Sequence, residues 1–237
     1  MKSVLVTGGT VRLGAAIAER LRADGWRVLT SSHRADAGAD LVADLAEPMG
    51  PAKLYAAAMK LLDGNPPDAL VNNAALFTGD AAAIAAVNLE SPKKLTTLMA
   101  GRETGVGAVV NILDSAVLGS LESVGSLEPI GLGAATLNDP NPTLNDSKRS
   151  YLASKRALLD VTRSAAATFA ATLRVNAVAP GPVLAPTDVH VKAGETLLDR
   201  RPTPDDVAAA VSYLLNAEST TGVVIPVDAG QHLMSEE

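Results

Sequence analysis

The sequence has no cysteine, and only 3% of its 237 residues are aromatic. The missing thiols exclude a disulfide scaffold, a thiolate metal site and cysteine catalysis together. The three histidines, His33, His190 and His232, are scattered along the chain, so we expect no metal site. The scarcity of aromatic rings leaves Ala, Val and Leu to form the core, and it makes a base-stacking platform for nucleic acid implausible.

Positive charge is scarce as well. Twenty Lys and Arg residues stand against 26 Asp and Glu, which gives a formal net charge of −6, whereas a nucleic-acid binder usually carries a basic excess. No apolar run approaches the roughly eighteen residues of a membrane-spanning helix. The first residues, MKSVLVTGG, reach glycine too early for the apolar part of a signal peptide. We therefore expect a cytoplasmic protein without nucleic-acid or membrane partners.

What the chain does have is a regular alternation of short Val/Leu runs with long Ala/Leu-rich stretches. Hydrophobic residues make up 47% and charged residues 19%, the balance of a folded chain. Buried strands separated by helices indicate a parallel sheet covered on both faces, and right-handed crossovers then give a doubly wound Rossmann fold. We predict one α/β domain over residues 1–237, with a seven-stranded parallel sheet.

The expected strands are Ser3–Val6, Trp26–Thr30, Asp40–Val42, Ala69–Asn72, Val106–Leu113, Leu173–Val178 and Val223–Val227. The expected helices are Arg12–Asp24, Pro51–Leu62, Lys148–Thr168 and Pro204–Asn216. Two segments interrupt the alternation. Residues 118–146, rich in Gly, Ser, Asn and Pro, are too long for an ordinary connection and predict an inserted functional loop or lid. Residues 183–204 predict a substrate-binding loop, because both segments follow carboxyl ends of strands, where open α/β sheets bind ligands.

The glycine-containing run Thr7–Gly14 follows the first strand and opens the first helix. A helix N-terminus offers free backbone N–H groups and the positive end of its dipole to a phosphate. Glycine lets the backbone turn tightly and approach a pyrophosphate closely. The run therefore predicts a dinucleotide site; a glycine turn without a ligand is the alternative.

The end of the second strand indicates which dinucleotide is bound. An NAD enzyme usually places an acid there for the ribose hydroxyls, whereas this chain has Ser31-Ser32-His33-Arg34. Arginine can hold a 2′-phosphate in a bidentate contact, and the serines can donate to it. We expect NADP rather than NAD; a solvated basic loop is the alternative.

Tyr151 is the candidate proton donor, because it alone of the three tyrosines has a lysine, Lys155, four residues later. Residues four apart share one face of a helix. An ammonium ion beside the phenol is expected to lower the pKa of the phenol. The pair predicts proton donation to a carbonyl or an imine that receives a hydride.

Over nearly its whole length the chain resembles the short-chain dehydrogenases/reductases. The matching motifs occur in the family's order: Thr7–Gly14, Asp44-Leu45, Asn72-Asn73-Ala74, Asn88, Asn111-Ile112, Tyr151 with Lys155, Pro180-Gly181 and Val227–Gly230. The resemblance implies hydride transfer from a nicotinamide, a proton exchanged by Tyr151, a ribose held by Lys155 and a relay water positioned by Asn88. A purely structural hydrogen bond is the alternative role of Asn88. The implied oligomer is a homotetramer formed through the helix that bears Tyr151 and Lys155.

The implied cofactor contacts come from Thr7, Gly8, Arg12, Leu13, Gly14, Ser32, His33, Arg34, Asp44, Leu45, Asn73, Ala74, Tyr151, Lys155, Pro180, Gly181 and Val183. Within the family the chain is similar to the pteridine reductases and dihydromonapterin reductases. Arg12 stands where most members have a small residue, Asp114 stands where most have a catalytic serine, and Phe77 follows soon after Ala74. The resemblance implies that Phe77 stacks on a pterin, that Arg12 bonds the pterin and the cofactor phosphates, and that Asp114 and Tyr151 supply protons to ring nitrogens.

Each of these assignments has a competing interpretation. Phe77 can be a core residue, Arg12 can bind phosphate alone, and Ser115 can take the role of the family serine in place of Asp114. The longer separation of Asp114 from Tyr151 than in the family pattern also leaves the substrate open. We expect an NADPH-dependent reductase of a pterin-like ring. The alternatives are a carbonyl reductase of another small molecule and, less favoured, a non-catalytic NADP sensor.

Overall fold

The computed structural model describes residues 1–103, 105–118, 142–183 and 196–234, and of residues 142–145 it describes the backbone alone. Its strands are β1 (Ser3–Thr7), β2 (Arg27–Ser32), β3 (Leu41–Val42), β4 (Ala69–Asn72), β5 (Gly107–Ile112), β6 (Leu173–Pro180) and β7 (Val224–Val227). Its helices are α1 (Arg12–Ala23), α2 (Gly50–Leu61), α3 (Ala81–Ala85), α4 (Ser91–Ala100), α5 (Pro142–Thr168) and α6 (Pro204–Asn216). A turn of π-helix, Ala86–Glu90, joins α3 to α4, and 3-10 helices span Ala35–Ala37, Ser115–Val117 and Gln231–Leu233.

The seven strands form one parallel sheet in the order β3-β2-β1-β4-β5-β6-β7. The predicted doubly wound α/β fold is confirmed. The strand order reverses between β1 and β4, and in open α/β sheets ligands bind beyond the carboxyl ends of the strands at this switch point. Thr7, Asn72 and Ile112 end three central strands there, so the predicted phosphate turn and the predicted catalytic residues are brought to one edge.

Helices cover the sheet on both faces, and neighbouring residues of a strand point to opposite layers. In β1, Val4 and Val6 face the layer of α1 and α6, whereas Leu5 faces the layer of α2, α4 and α5. Each fully buried Val or Leu stabilises the fold by roughly 1.5–3 kcal/mol relative to an exposed one. The single tryptophan, Trp26, is 7% exposed in the first layer, and the Lys2 ammonium lies 5.9 Å from its ring centroid.

Helix α5 begins at Pro142, six residues before the predicted start at Lys148, so the prediction that residues 142–146 belong to a loop is wrong. Proline is well placed in the first turn of a helix, because its missing N–H would have no helical partner there. The remainder of the predicted inserted loop, residues 119–141, lies outside the described residues, as do residues 184–195 of the predicted substrate-binding loop. That residues 1–237 form a single domain stays a prediction.

Two further differences concern helices and strand ends. Residues 81–100, for which no element is predicted, form α3, the π-turn and α4. Strand β2 runs two residues beyond its predicted end and so includes Ser31 and Ser32. None of the described helices is long and apolar enough to cross a bilayer.

Candidate active site

The glycine turn after β1 is closed by contacts with the end of β4. The Thr7 hydroxyl accepts hydrogen bonds from the backbone N–H groups of Asn73 and Ala74, both at 3.0 Å, and donates to the Val71 carbonyl. The Asn73 side-chain amide donates to the carbonyls of Thr7 and Gly8, at 3.0 and 3.1 Å. These bonds hold the start of the predicted phosphate turn against Asn73 and Ala74, two further residues predicted to contact the cofactor.

Two backbone positions in the turn explain its glycine pattern. A Cβ on Gly14 would overlap the Gly8 carbonyl oxygen and lie 2.6 Å from the Asn73 amide nitrogen, so only glycine fits. Gly8 has φ 62° and Arg12 has φ 51°. This left-handed conformation costs a non-glycine residue on the order of 1–2 kcal/mol. Arg12, the first residue of α1, therefore has a strained backbone conformation, and its side chain is exposed.

Arg34 lies two residues beyond the end of β2, and its guanidinium is paired with an acid. Its Nε and Nη2 donate to the two carboxylate oxygens of Asp36 at 2.9 and 2.7 Å, and its backbone N–H donates to the Ser32 hydroxyl at 3.1 Å. The hydrogen bond from Arg34 lowers the pKa of the Asp36 carboxyl group. His33 is exposed beside the pair. Asp36 is not among the predicted site residues, although its position two residues after an arginine makes such a pair possible.

The predicted adenine contact, Asp44-Leu45, lies in the turn after β3. The Asp44 carboxylate is exposed and accepts a hydrogen bond from the Ala46 N–H at 2.8 Å. Leu45 is buried, and its carbonyl accepts a hydrogen bond from the Ser91 hydroxyl at 2.6 Å. The exposed carboxylate is free to face a ligand, whereas the leucine side chain anchors the turn in the core.

Tyr151 and Lys155 lie on α5 beside the end of β5. The Tyr151 hydroxyl donates to Asp114 Oδ2 at 3.0 Å, and Asp114 Oδ1 accepts from the Ala116 N–H at 2.9 Å. The Lys155 ammonium is buried and donates to the Ile112 carbonyl at 2.7 Å. Tyr151 and Asp114 are thus hydrogen-bonded to each other, and the Lys155 ammonium lies 5.7 Å from the centroid of the Tyr151 ring. The Asp114 carboxylate is held in place as the cap of a 3-10 helix.

The acid–base properties of this group differ from the sequence-based expectation. Burial raises the pKa of the Tyr151 hydroxyl, and the negative charge of Asp114 and the hydrogen bond to it act in the same direction. Burial lowers the pKa of the Lys155 ammonium to about 8, although Asp114 opposes this. The prediction that Lys155 lowers the pKa of Tyr151 is wrong for this arrangement, because a carboxylate rather than the ammonium contacts the hydroxyl. Tyr151 is held in its protonated form.

Phe77 lies over Tyr151 and not in the core. Its side chain is 52% exposed, and the centroids of the two rings are 4.8 Å apart with an interplanar angle of 52°. Ser115 is buried and its hydroxyl lies 3.4 Å from the Gln231 side-chain oxygen. Of the two candidates for the place of the family serine, Asp114 is therefore the one that contacts Tyr151. Phe77, Tyr151 and Asp114 are joined by direct contacts, and Arg12 stands exposed at the neighbouring turn.

Asn88 is fully buried in the π-turn and ties three elements together. Its side-chain oxygen accepts from the Leu76 N–H at 2.7 Å, and its amide donates to the Leu76 carbonyl at 2.8 Å and to the Ser154 hydroxyl at 3.2 Å. The Ser154 hydroxyl donates to the Tyr151 carbonyl at 2.6 Å. π-turns inside α-helices occur frequently at functional sites. Asn88 thus links the loop that carries Phe77 to the helix that carries Tyr151, and Ser154 is a link that sequence reasoning missed.

The end of β6 completes the edge of the site. Pro180 is buried, and the Gly181 N–H donates to the Val227 carbonyl at 3.0 Å. A Cβ on Gly181 would lie 2.7 Å from Asp228 Cβ, so the position is confined to glycine. Val183 packs against the core layer of α1 and α6. These residues border the site on the side of β6.

Comparison with known proteins places this site in context. Residues 12–232 match the family model described as enoyl-(acyl carrier protein) reductase. The chain is similar to the granaticin polyketide synthase putative ketoacyl reductase 2 of Streptomyces violaceoruber, with 33% identity over 97% of this chain and 96% of that protein. It is also similar to the NADP-dependent (R)-specific alcohol dehydrogenase of Lentilactobacillus kefiri, with 27% identity over 97% of this chain and 96% of that protein.

A solved structure with the same fold is FolM alternative dihydrofolate reductase 1 from Brucella canis, complexed with NADP. The two chains have a TM-score of 0.77 and 31% sequence identity, and the match covers 100% of this chain and 96% of that chain. The similarity therefore extends across the glycine turn, the Tyr151 group and the end of β6.

Proposed function

The chain belongs to the short-chain dehydrogenases/reductases and is an NADP-dependent oxidoreductase of that family, and we propose that its substrate is a pterin-like ring whose C=N bond it reduces. The observation that carries this proposal is the contact of Tyr151 with Asp114 Oδ2 at 3.0 Å beneath the half-exposed ring of Phe77. A proton donor, a carboxylate and an aromatic face together suit a flat nitrogen heterocycle.

The residues of the glycine turn fit the diphosphate of NADPH. Glycine is required at Gly14 because a Cβ there would overlap the Gly8 carbonyl oxygen, so the start of α1 packs closely against the turn, as the last glycine of a dinucleotide-binding turn allows. We assign the diphosphate to Thr7–Gly14 at the N-terminus of α1, the 2′-phosphate to Ser32, His33 and Arg34, and the adenine to Asp44 and Leu45. Asn73, Ala74, Pro180 and Val183 line the remaining path, and Lys155 holds the nicotinamide ribose. NADPH supplies a hydride when bound.

The proton in this reaction comes from Tyr151. Its hydroxyl stays protonated because burial and the Asp114 charge raise its pKa, so it is an acid that releases its proton only to a group made basic by hydride addition. Asp114 is partly exposed and can accept a proton from water and pass it to Tyr151. One hydride and one proton convert C=N to CH–NH, and the relay restores the tyrosine.

Binding of the substrate ring falls to Phe77 and Arg12. Phe77 presents a half-exposed face next to Tyr151, and base-on-aromatic stacking contributes about 1–3 kcal/mol. Arg12 offers guanidinium donors to ring acceptors from the adjacent turn. The similarity to an alternative dihydrofolate reductase supports a substrate of this class.

A carbonyl reductase is the second candidate. The relatives named ketoacyl reductase and alcohol dehydrogenase favour it, and a ketone takes its proton on a single oxygen, which the Tyr151 hydroxyl can serve directly. A non-catalytic NADP sensor is disfavoured, because it would need neither Tyr151 nor the buried Lys155. We further propose a cytoplasmic homotetramer formed through α5, with residues 183–204 as the substrate-binding loop.

The test is NADPH oxidation against oxidised and dihydro pterins, folates, quinones and ketones, using the wild type, Asp114→Ser and Phe77→Ala. Asp114→Ser restores the residue most family members carry, so it should retain ketone turnover and lose pterin turnover. Phe77→Ala should raise the KM of a pterin about five-fold or more and leave that of a small ketone unchanged. Equal losses of pterin and ketone turnover in Asp114→Ser would favour the carbonyl reductase.

A further inference from the structure

The guanidinium of Arg34 is occupied by a neighbouring carboxylate. Nε and Nη2 of Arg34 donate to the two oxygens of Asp36, and the side chains are 64% and 69% exposed. A phosphate takes the same two parallel hydrogen bonds from an arginine. Asp36 therefore holds one of the edges of Arg34 that suit a phosphate, and a phosphate bound at that edge would displace the carboxylate.

We propose that Asp36 is a specificity-determining residue that competes with the 2′-phosphate of the cofactor for Arg34 and so weakens the preference for NADPH over NADH. This inference rests on the proposed role of Arg34. The preference for NADPH over NADH is then set by two residues of opposite charge. It is smaller than Arg34 without a neighbouring acid would give.

The backbone keeps the carboxylate close after it has been displaced. Arg34 directly precedes the 3-10 helix Ala35–Ala37, which contains Asp36, and the Arg34 N–H is tied to the Ser32 hydroxyl. A phosphate on Arg34 would therefore lie beside an acid that Arg34 no longer neutralises. The repulsion adds to the cost of breaking the ion pair. Both effects weaken the binding of NADPH and leave that of NADH unchanged, because NADH has no 2′-phosphate.

The expected size of the effect is modest because the pair is exposed. Exposed ion pairs stabilise a structure little, and at a separation of a few ångströms in water the repulsion between two charges is comparably small. Together they correspond to a change of about three- to ten-fold in the Kd of NADPH. Water and salt screen the repulsion, so the effect should shrink as the ionic strength rises.

The experiment measures the Kd of NADPH and of NADH by fluorescence titration at low and high salt for the wild type, Asp36→Asn, Arg34→Ala and the double variant. Asp36→Asn should tighten NADPH binding about three- to ten-fold at low salt, steepen its salt dependence, and leave NADH binding unchanged. In the Arg34→Ala background, Asp36→Asn should change the Kd of NADPH less than it does in the wild type. Asp63→Asn removes another exposed acid, from the loop between α2 and β4 at the opposite edge of the sheet, and should leave both Kd values unchanged.

The outcomes separate this inference from the proposed function. If Arg34→Ala leaves NADPH binding unchanged, the proposed 2′-phosphate site fails and the inference fails with it. If Arg34→Ala weakens NADPH selectively but Asp36→Asn does not tighten it, the site stands and competition by Asp36 is refuted. Weaker NADPH binding in Asp36→Asn would show that Asp36 orients Arg34 for the phosphate, the opposite of competition.

Discussion

At the scale of single residues, Tyr151 acts as a donor whose hydrogen bond ends on a carboxylate. Tyr151→Phe keeps the ring that packs against Phe77 and removes only the hydroxyl. We expect kcat to fall about 10²–10⁴-fold, the usual contribution of a general acid, and the unfolding free energy to fall by about 1 kcal/mol for the lost hydrogen bond. Steady-state NADPH oxidation and urea denaturation measure the two effects. Tyr213→Phe, at an exposed tyrosine of α6, is the control, and near-normal turnover of Tyr151→Phe would assign the proton to another group.

Lys155 makes the stability of the unliganded protein depend on pH. Its pKa is about 8 in the folded protein and near 10.5 in the unfolded chain. Between these values the unfolded chain binds more protons, so the unfolding free energy rises with pH. Tyr151, whose pKa is raised above 10.0, is protonated in both states below pH 10 and opposes this gain only above it.

We therefore expect the wild type to gain about 2 kcal/mol relative to Lys155→Met between pH 8 and pH 10. Urea denaturation of both proteins across this range measures the difference. Lys60→Met, which removes an exposed lysine of α2, should parallel the wild type. A difference between wild type and Lys155→Met that stays constant with pH would contradict the assignment.

At the scale of elements, the π-turn fixes the loop after β4 to α5 through Asn88. Asn88→Ala removes two hydrogen bonds to Leu76 and one to Ser154. We expect a loss of about 2–3 kcal/mol of unfolding free energy, together with a higher KM for an aromatic substrate, because the Phe77 ring loses its fixed position. Ser154→Ala breaks only the link to α5 and should cost about 1 kcal/mol.

Steady-state kinetics distinguish this positioning role from a role in proton relay. If Asn88→Ala lowers kcat for pterin and ketone alike with KM unchanged, Asn88 acts on a relay water. If KM for the aromatic substrate rises while kcat for a small ketone persists, Asn88 acts through Phe77.

The elements that could be predicted from the sequence are those with a clear apolar pattern. Ala69–Asn72 and Pro204–Asn216 have the predicted bounds, because a continuous apolar run and a capped amphipathic stretch identify them. The segment 81–100 escaped prediction because its alanine-rich start shows no contrast between a polar and an apolar face, and because Asn88 and Pro92 interrupt the apolar periodicity. The early start of α5 escaped because the residues before Lys148 have loop-like composition.

In the candidate site, too, some features could be predicted from the sequence and others could not. The topology rule predicted that the ends of β1, β4 and β5 converge, and the structure places Thr7, Asn73 and Asp114 accordingly. The pairing of Arg34 with Asp36 and of Asn88 with Ser154 could not be predicted, because side-chain partners depend on rotamers and tertiary contacts. The direction of the pKa shift of Tyr151 also depends on such a contact, because the hydroxyl meets the Asp114 carboxylate and not the Lys155 ammonium.

At the scale of the whole molecule, the groove between α4 and α5 is the face we assign to the tetramer. It is lined by Lys93, Thr96, Asp160, Ser164, Ala165 and Phe169, and the Thr96 hydroxyl is buried there without a hydrogen bond inside the described residues. Opposite charges on the two helices would pair when two copies pack about a two-fold axis. Ser164→Arg places a large cation in the groove and should shift the protein to a smaller species in light scattering. Ala167→Arg, on the same helix outside the groove lining, should not, and a monomeric wild type would refute the interface.

Trp26 gives the molecule an internal optical reporter. It is the only tryptophan in the chain, it is 7% exposed, and it precedes β2 at the amino edge of the sheet, opposite the site. Its emission therefore reports whether the layer of α1 and α6 is packed, and it responds to a ligand at the carboxyl edge only through energy transfer to the nicotinamide. A shift of the emission maximum then signals unfolding, whereas quenching at a constant maximum signals occupancy, so one fluorimeter trace separates the two events.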